Sequence, residues 1–385
     1  MKKMSEWTTQ RLEEIIQVNP TVKLAKGEVY PFIDIDKVSP SLRSVTNEEE
    51  KVYDGQSCSK FCNGDTVFSR ITPCLENRKI AKVSIDGQAA FGSTEFYIFR
   101  AKKGKSDEDF VYYLTSSDAV VLPAINSMTG ASGRQRADKR FIERTKLNVP
   151  DLPTQKRIAD ILSAYDDLIE NNNRRIALLE KAAQELYKEW FVRFRFPGYE
   201  NAKFESGLPE GWKIAKLGTL CKVITGKKDA NEATGQGIYP FFTCARETTL
   251  FTDEYILDTN AILISGNGSY TGLVKKHSGK FDLYQRTYAL YDFQNIEWLY
   301  LYWTMKIDFE REFMGGSRGS AIPYITRPNI EKFKIIVPPR DIMKKAQQTF
   351  EQIHNECLYL ERQNKNLVKQ RDLLLPRLMS GKLEV

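Results

Sequence analysis

The chain carries the same long helical pattern twice. The first copy runs from Val149 to Phe191 and the second from Val337 to Met379, at a constant offset of 188 residues (337 − 149). In both copies the apolar positions alternate at steps of four and three, which is the 3.5-residue repeat of a coiled coil. A helix from Thr154 to Phe191 would span about 57 Å at about 1.5 Å per residue. We therefore expect two long antiparallel helices, related by an approximate internal twofold axis; the alternative is that each helix packs only on its own domain.

The repeating positions define a seam along each helix. Two polar members, Asn172 and Asn364, would meet if the axis passes near residue 174. A buried Asn pair lowers stability but fixes the register of the helices. The alternative is that both amides face solvent at a slightly rotated seam. The first seam is Ile158, Leu162, Tyr165, Ile169, Asn172, Ile176, Leu179, Ala183, Leu186 and Trp190, and the second is Ala346, Phe350, Ile353, Cys357, Leu360, Asn364, Leu367, Arg371, Leu374 and Leu378.

A globular-looking stretch precedes each long helix. Apolar patterns predict strands at 79–85 and 96–99, and helices at 107–117 and 296–307. The fold class is therefore α+β, with two mixed α/β domains and two long coiled-coil-like helices in one pseudo-twofold repeat. The predicted boundaries are a first domain at 1–150, a helix at 151–196, a Pro- and Gly-containing linker at 197–211, a second domain at 212–338 and a helix at 339–385.

The globular domains also repeat, more faintly than the helices. Residues 64–70 are echoed by 259–265. The small-residue loop at 127–133 is echoed by 313–319, and each loop precedes an extended run into the long helix. A protein built from two similar halves suits a target that also has two halves, and duplex DNA with a split site is the leading candidate.

Residue usage argues against catalysis in this chain. Histidine occurs only at His277 and His354, neither in a metal-ligand pattern, and the six Cys residues are scattered like free thiols in a reducing compartment. The sequence holds no Asn/Asp-Pro-Pro-Tyr run of an amino-methyltransferase and no nuclease metal cluster. No apolar run approaches the roughly 20 residues of a membrane span, so a cytoplasmic protein without a membrane partner is expected. If this chain serves an enzyme, it does so by binding.

The basic residues favour a polyanionic partner. The net charge is +7, and many of the cations lie in loops that contain Gly or Ser. Such loops can approach a duplex closely, and their Arg, Lys, Gln and Ser side chains can contact phosphates or bases. The alternative is that they are solvated, flexible loops. The residues expected to contact DNA are Arg70, Arg78, Lys79, Arg134, Gln135, Arg136, Lys227, Lys228, Ser317, Arg318 and Ser320.

Three segments resemble one known family. Residues 186–194, LYKEWFVRF, look like the mid-chain signature of specificity subunits of type I restriction-modification systems. Residues 374–383, LLPRLMSGKL, look like their C-terminal signature, and residues 150–159 resemble the start of their first spacer helix. The second helix departs from the pattern, with Asp341-Ile342-Met343 at its start. The resemblance covers the chain in order, although the two globular domains carry little of it.

The resemblance implies a function without catalysis. Each globular domain would be a target-recognition domain that reads one half of a bipartite double-stranded DNA site. The helix pair would set the spacer and dock two modification subunits. S-adenosylmethionine, ATP and Mg are implied on the modification and restriction subunits, and no cofactor is expected in this chain. The residues expected to help dock the modification subunits are Trp190, Phe191, Phe194 and Phe196, the alternative being that they cap the helix bundle against the second domain.

Two other classes of protein stay open from the residues alone. One is a catalytic chain that fuses specificity to a methyltransferase or nuclease, which cofactor binding by the isolated chain would reveal. The other is a scaffold that joins two ligand-binding domains and has no DNA role, which salt-independent binding would favour. A specificity protein of a different multi-subunit restriction class also stays open, as a variant of the specificity-subunit interpretation.

Overall fold

The long helices lie where the sequence predicts them. The computed structural model describes residues 7–46, 49–87, 89–131, 133–314 and 324–385. The first long helix is Leu152–Tyr187 and continues as a π-helical turn, Lys188–Val192, whereas the second is Arg340–Met379. The Asp151 carboxylate accepts a hydrogen bond from the Thr154 N–H at 3.2 Å and so caps the start of the first helix.

The chain divides into two compact units, and each contains part of both long helices. The first unit is residues 1–175 with 360–385, and the second is residues 176–359. In the first unit Asp166 pairs with Arg371, and Asn172 contacts Asn364. Rising numbers along one helix therefore meet falling numbers along the other, which confirms the antiparallel arrangement in this unit.

The predicted seam is buried or half-buried at every position in both helices. Asn172 is fully buried, and its Nδ2 donates to Asn364 Oδ1 at 2.9 Å and to Gln363 Oε1 at 2.8 Å. Asn364 Nδ2 donates in turn to Asn173 Oδ1 at 2.9 Å. The predicted contact between Asn172 and Asn364 is therefore present, and the solvent-facing alternative is excluded for Asn172.

The first unit is a mixed α/β domain next to its helix segments. One sheet has the order β2-β10-β7-β8-β4, and another has the order β5-β3-β9-β6. Its strands are β1 (Thr8–Arg11), β2 (Ile16–Val18), β3 (Val29–Ile33), β4 (Ser44–Val45), β5 (Glu49–Val52), β6 (Ser59–Cys62), β7 (Thr66–Ser69), β8 (Ile80–Val83), β9 (Ala89–Gly92), β10 (Phe96–Ala101) and β11 (Lys146–Val149). Its helices are α1 (Leu12–Ile15), α2 (Glu108–Ser116), α3 (Asp118–Asn126), α4 (Lys139–Arg144) and the first long helix, α5.

The second unit follows the same plan. Its main sheet has the order β15-β20-β18-β19-β16-β17. The strands are β12 (Phe204–Glu205), β13 (Leu208–Pro209), β14 (Lys213–Lys216), β15 (Lys222–Thr225), β16 (Tyr239–Phe242), β17 (Leu250–Thr252), β18 (Leu257–Ser265), β19 (Val274–Leu283), β20 (Thr287–Tyr291) and β21 (Lys334–Val337). The helices are α6 (Trp298–Thr304), which continues as a π-helical turn (Met305–Phe309), α7 (Glu310–Phe313), α8 (Arg327–Glu331) and the second long helix, α9.

Each domain is closed by an antiparallel strand pair directly before a long helix. In the first unit β1 pairs with β11, so Thr8 lies opposite Val149. In the second unit β14 pairs with β21, so Lys213 lies opposite Val337. The chain thus enters and leaves each domain side by side. The strands predicted at 79–85 and 96–99 are β8 and β10, and the helices predicted at 107–117 and 296–307 are α2 and α6.

A buried histidine on α9 makes the second unit sensitive to acid. The His354 ring packs edge-on against Trp298, with centroids 5.2 Å apart, and its Nε2 lies 3.2 Å from Ser278 Oγ. Burial, helped by the charge of Lys276, lowers the pKa of His354 to about 4. Because this is below the unfolded value of about 6.5, the folded state does not take the proton that the unfolded state takes.

We therefore expect stability to be lost as the pH falls from about 6.5 towards 4. Between pH 7 and pH 5 the loss from this group should be about 2 kcal/mol. The measurement is amide hydrogen exchange in residues 340–359 of α9, the part that belongs to the second unit, at both pH values for the wild type and His354→Gln. An equal pH response in the two proteins would contradict the assignment.

Candidate nucleic-acid interface

Two arginines and one glutamate form a cluster at the end of β7 in the first unit, in which Arg136 is exposed and Arg70 and Glu95 are half-buried. Arg70 Nε donates to Glu95 Oε2 at 3.2 Å, and Arg136 Nη2 donates to Glu95 Oε1 at 2.6 Å. Arg136 also donates from Nε to Glu95 Oε2 at 2.9 Å. One carboxylate thus holds two guanidinium groups, and the cluster has a net charge of +1.

The backbone fixes this cluster in place. Arg136 pairs with Thr129 and with Ile71 as isolated β-bridges, so the loop between residues 129 and 136 closes on itself. Gly130 lies in this loop at a φ of +129°, a conformation that favours glycine. The hydrogen bond from Arg136 and the charge of Arg70 lower the pKa of Glu95, although burial opposes them. Glu95 therefore stays ionised and keeps both arginines oriented.

The remaining first-unit residues predicted to contact DNA differ in whether hydrogen bonds or ion pairs already hold them. Arg78 pairs with Asp118, and Lys79 Nζ donates to the Ile35 carbonyl at 3.0 Å. Arg134 is exposed, whereas the half-buried Gln135 exchanges two 3.0 Å hydrogen bonds with Thr72. The DNA contacts expected of these four residues stay predictions.

In the second unit the two predicted lysines differ in charge environment. Lys228 lies 2.8 Å from Asp282 and 3.1 Å from Glu254, so its charge is already offset. Lys227 is exposed and forms no ion pair with another described residue. The other predicted contacts, Ser317, Arg318 and Ser320, lie outside the described residues.

The hydrogen bonds that frame the Arg70 cluster recur in the second unit. Arg70 N–H donates to the Glu95 carbonyl at 2.9 Å, and Gly266 N–H donates to the Arg286 carbonyl at 2.9 Å. Arg136 bridges Ile71, and Tyr324 bridges Asn267. An equivalent tyrosine hydroxyl bond completes the frame in each unit. Tyr97 Oη donates to the Ala137 carbonyl at 2.7 Å in the first unit, and Tyr288 Oη donates to the Ile325 carbonyl at 3.1 Å in the second.

This shared frame makes three pairs of positions equivalent. Arg70 corresponds to Gly266, Glu95 to Arg286, and Arg136 to Tyr324. The sequence similarity between residues 64–70 and 259–265 aligns Arg70 with Ser265, whereas the hydrogen bonds align it with Gly266. The alignment from sequence is therefore wrong by one residue. Two strands with similar apolar patterns can be aligned by sequence in either of two neighbouring registers, whereas their hydrogen bonds are compatible with only one. Glu95, Arg286 and Tyr324 escape prediction because no local motif marks them.

The four predicted docking aromatics belong to the apolar core of the second unit. Phe191 and Phe196 are buried, and Trp190 and Phe194 are half-buried against the same core. Trp212 is the common neighbour of the three phenylalanines, with ring centroids at 6.0 Å from Phe191, 5.4 Å from Phe196 and 5.2 Å from Phe194. A partner could reach only Trp190 and Phe194, so the docking role of the four stays a prediction.

The described residues contain neither a candidate metal-binding cluster nor a helix that could cross a membrane. No group of three or more His, Cys, Asp and Glu side chains in this part of the chain could hold a metal ion. Over the same residues, every helix is too short or too polar to cross a lipid bilayer.

Comparison with known proteins gives the class of this chain. The type I restriction modification DNA specificity domain matches residues 4–181 and again residues 209–370. Because these matches cover more than half of the chain, it belongs to that family. The predicted family and the internal repeat are thereby confirmed.

The individual relatives agree with the family. The specificity subunit of the EcoDI type I restriction enzyme from Escherichia coli is 38% identical over 180 residues, which are 46% of this chain and 39% of that protein. The MjaVIII specificity subunit from Methanocaldococcus jannaschii is 26% identical and covers 97% of this chain and 93% of its own length. Among solved structures, the S subunit of a type I system from M. genitalium has a TM-score of 0.57 at 15% identity, with 98% and 97% of the two chains covered. The last similarity concerns the fold alone.

Proposed function

We propose that this chain is the non-catalytic specificity subunit of a type I restriction-modification complex, in which each target-recognition domain reads one half of a bipartite DNA site. The observation that carries the proposal is the double family match to domains that share one hydrogen-bonded frame. The frame presents different exposed side chains in the two units. A shared frame with different side chains suits the reading of two different half-sites.

The long helices complete the proposed function. They set the distance between the half-sites and dock two modification subunits in the cytoplasm, with restriction subunits joining the full complex. S-adenosylmethionine, ATP and Mg belong to those partners. Trp190 and Phe194, half-buried on the surface of the second unit, are the favoured docking aromatics.

The DNA role is tested by the salt dependence of binding. In the complex with two modification subunits, the logarithm of the binding constant should fall linearly with the logarithm of the salt concentration, because phosphate contacts release counterions. Lys227→Ala should reduce the magnitude of that slope by about 0.9, equally for cognate and unrelated duplexes. Lys222→Ala is the control, because Lys222 is exposed but already paired with Asp292 at 2.7 Å. Salt-independent binding would support the scaffold interpretation and contradict the proposal.

A further inference from the structure

The equivalent frame positions of the two units carry different chemistry, and this difference extends the proposed function. In the first unit the cluster is Arg70, Glu95 and Arg136. In the second unit Arg286 stands where the carboxylate stands, and an aromatic residue, Tyr324, stands where the second arginine stands. We infer that Arg286 and Tyr324 form the base-reading pair of the second domain, and that the clamped arginines do so in the first. The inference rests on the proposed function and names the positions that determine specificity.

The second-unit pair is exposed on a rigid frame. Tyr324 is 72% exposed, although its neighbour Ile325 is buried. Arg286 is exposed beside the buried Thr287 and forms no ion pair with another described residue. The hydrogen bonds of the frame fix the backbone at both positions, so binding has to order only the two side chains.

In the second unit the position equivalent to Arg70 is a glycine, Gly266, and so it carries no side chain. A Cβ atom on Gly266 would lie 2.4 Å from the Arg286 carbonyl oxygen and 2.8 Å from the Tyr288 ring. The backbone passes too closely there for any larger residue. Arg286 and Tyr324 therefore constitute the exposed chemistry of the frame in this unit.

The hydrogen bonds of the first-unit cluster leave a particular edge of each guanidinium available. Glu95 binds Arg70 through Nε, and it binds Arg136 through Nε and Nη2. In both arginines the end-on edge formed by Nη1 and Nη2 is not used by the carboxylate. Arg136 is exposed there, whereas Arg70 is half-buried and its guanidinium lies over the Tyr97 ring at 5.5 Å. This edge is the fork that pairs with O6 and N7 of guanine in the major groove.

Arg286 differs from the first-unit arginines in its surroundings but should also prefer guanine. Its guanidinium has the fork without a carboxylate clamp among the described residues, so guanine is again the favoured base. Tyr324 offers a flat apolar ring and a hydroxyl beside it, suited to packing on an adjacent base. Each frame carries a net charge of +1 from these side chains, so the units differ in the shape of the reader and not in its charge.

The test uses the complex of the full chain with two modification subunits and duplexes that contain the motif methylated by the wild-type complex. Arg286→Ala should reduce discrimination at one base pair of one half-site by about 5- to 150-fold and leave the other half-site unchanged. Arg286→Lys should lose part of this discrimination, because a lysine keeps the charge and can still donate to guanine but lacks the planar fork. Glu95→Gln should relax discrimination in the opposite half-site. Arg311→Ala is the matched control, since Arg311 is an exposed arginine of the second unit paired with Asp308.

The outcomes separate the inference from the proposed function. Equal weakening on all duplexes would mean that Arg286 contacts only phosphate, and this would overturn the inference while the proposed function survives. Unchanged discrimination in Arg286→Ala and Glu95→Gln would overturn it as well. A wild-type complex that does not distinguish its motif from a scrambled duplex would overturn both. Loss confined to opposite half-sites in the two variants supports the inference.

Discussion

Replacing Arg371 with methionine should destabilise the first unit by about 3–5 kcal/mol, because the change leaves a buried carboxylate without its counter-charge. Arg371 Nη1 lies 2.5 Å from Asp166 Oδ1, and the Asp166 side chain is almost completely buried. Tyr113 Oη donates to the other oxygen of that carboxylate at 2.6 Å. Burial and the charge of Asp166 raise the pKa of Tyr113, so its phenol stays neutral and continues to donate.

The measurement for Arg371→Met is the opening free energy of residues 152–175 of α5 from amide hydrogen exchange, because this part of the helix belongs to the first unit. The double variant Arg371→Met with Asp166→Leu should recover part of the loss, since an apolar pair has no uncompensated charge, although the Tyr113 hydroxyl then loses its acceptor. Asp372→Asn is the control, because Asp372 also pairs with Arg371 at 2.8 Å but is mostly exposed. Its effect should stay within about 1 kcal/mol. A loss in Arg371→Met no larger than in Asp372→Asn would contradict the assignment.

Replacing Phe191 with alanine should destabilise the second unit by about 3–5 kcal/mol through loss of apolar burial and the cavity left behind. Phe191 is 3% exposed, and its ring centroid lies 4.6 Å from that of Tyr300 and 5.5 Å from that of Tyr187. Because the ring is enclosed by these neighbours, its main effect should be on folding and not on docking.

The measurement for Phe191→Ala is hydrogen exchange in the second unit together with the affinity for modification subunits. Val192→Ala is the neighbouring control, since Val192 is 49% exposed and contributes little to the core. Unchanged stability with weakened assembly in Phe191→Ala would contradict the core assignment and restore this residue as a direct docking contact.

The periodic parts of the molecule were predictable from the sequence. A seam repeats its apolar pattern over many turns, so the two long helices follow from residue spacing. The contact of Asn172 with Asn364 was one of two alternatives that the spacing left open. Arg371 interrupts the apolar pattern of the second seam, and the sequence gives no sign that Asp166 and Tyr113 compensate it. That compensation depends on residues far apart in the chain, which spacing cannot relate.

The candidate interface was less accessible to sequence reasoning. Arg70 and Arg136 were expected as separate loop residues, yet the structure joins them through Glu95, 41 residues from Arg136. Arg286 and Tyr324 become candidates only when hydrogen bonds fix the equivalence of the two units. Likewise, the four docking aromatics form a dense local group in sequence, but their burial depends on Trp212 and Tyr300, which belong to other elements.

The central claim is that this one chain specifies a DNA site in two separated halves. The most direct measurement is sequencing of methylated adenines in cells with and without the gene for this chain, with the modification subunit present in both. The account predicts a methylated motif of two short defined sequences separated by a spacer of constant length, which disappears when the gene is absent. The same methylation without the gene, or a gene-dependent motif that is one uninterrupted sequence, would contradict it.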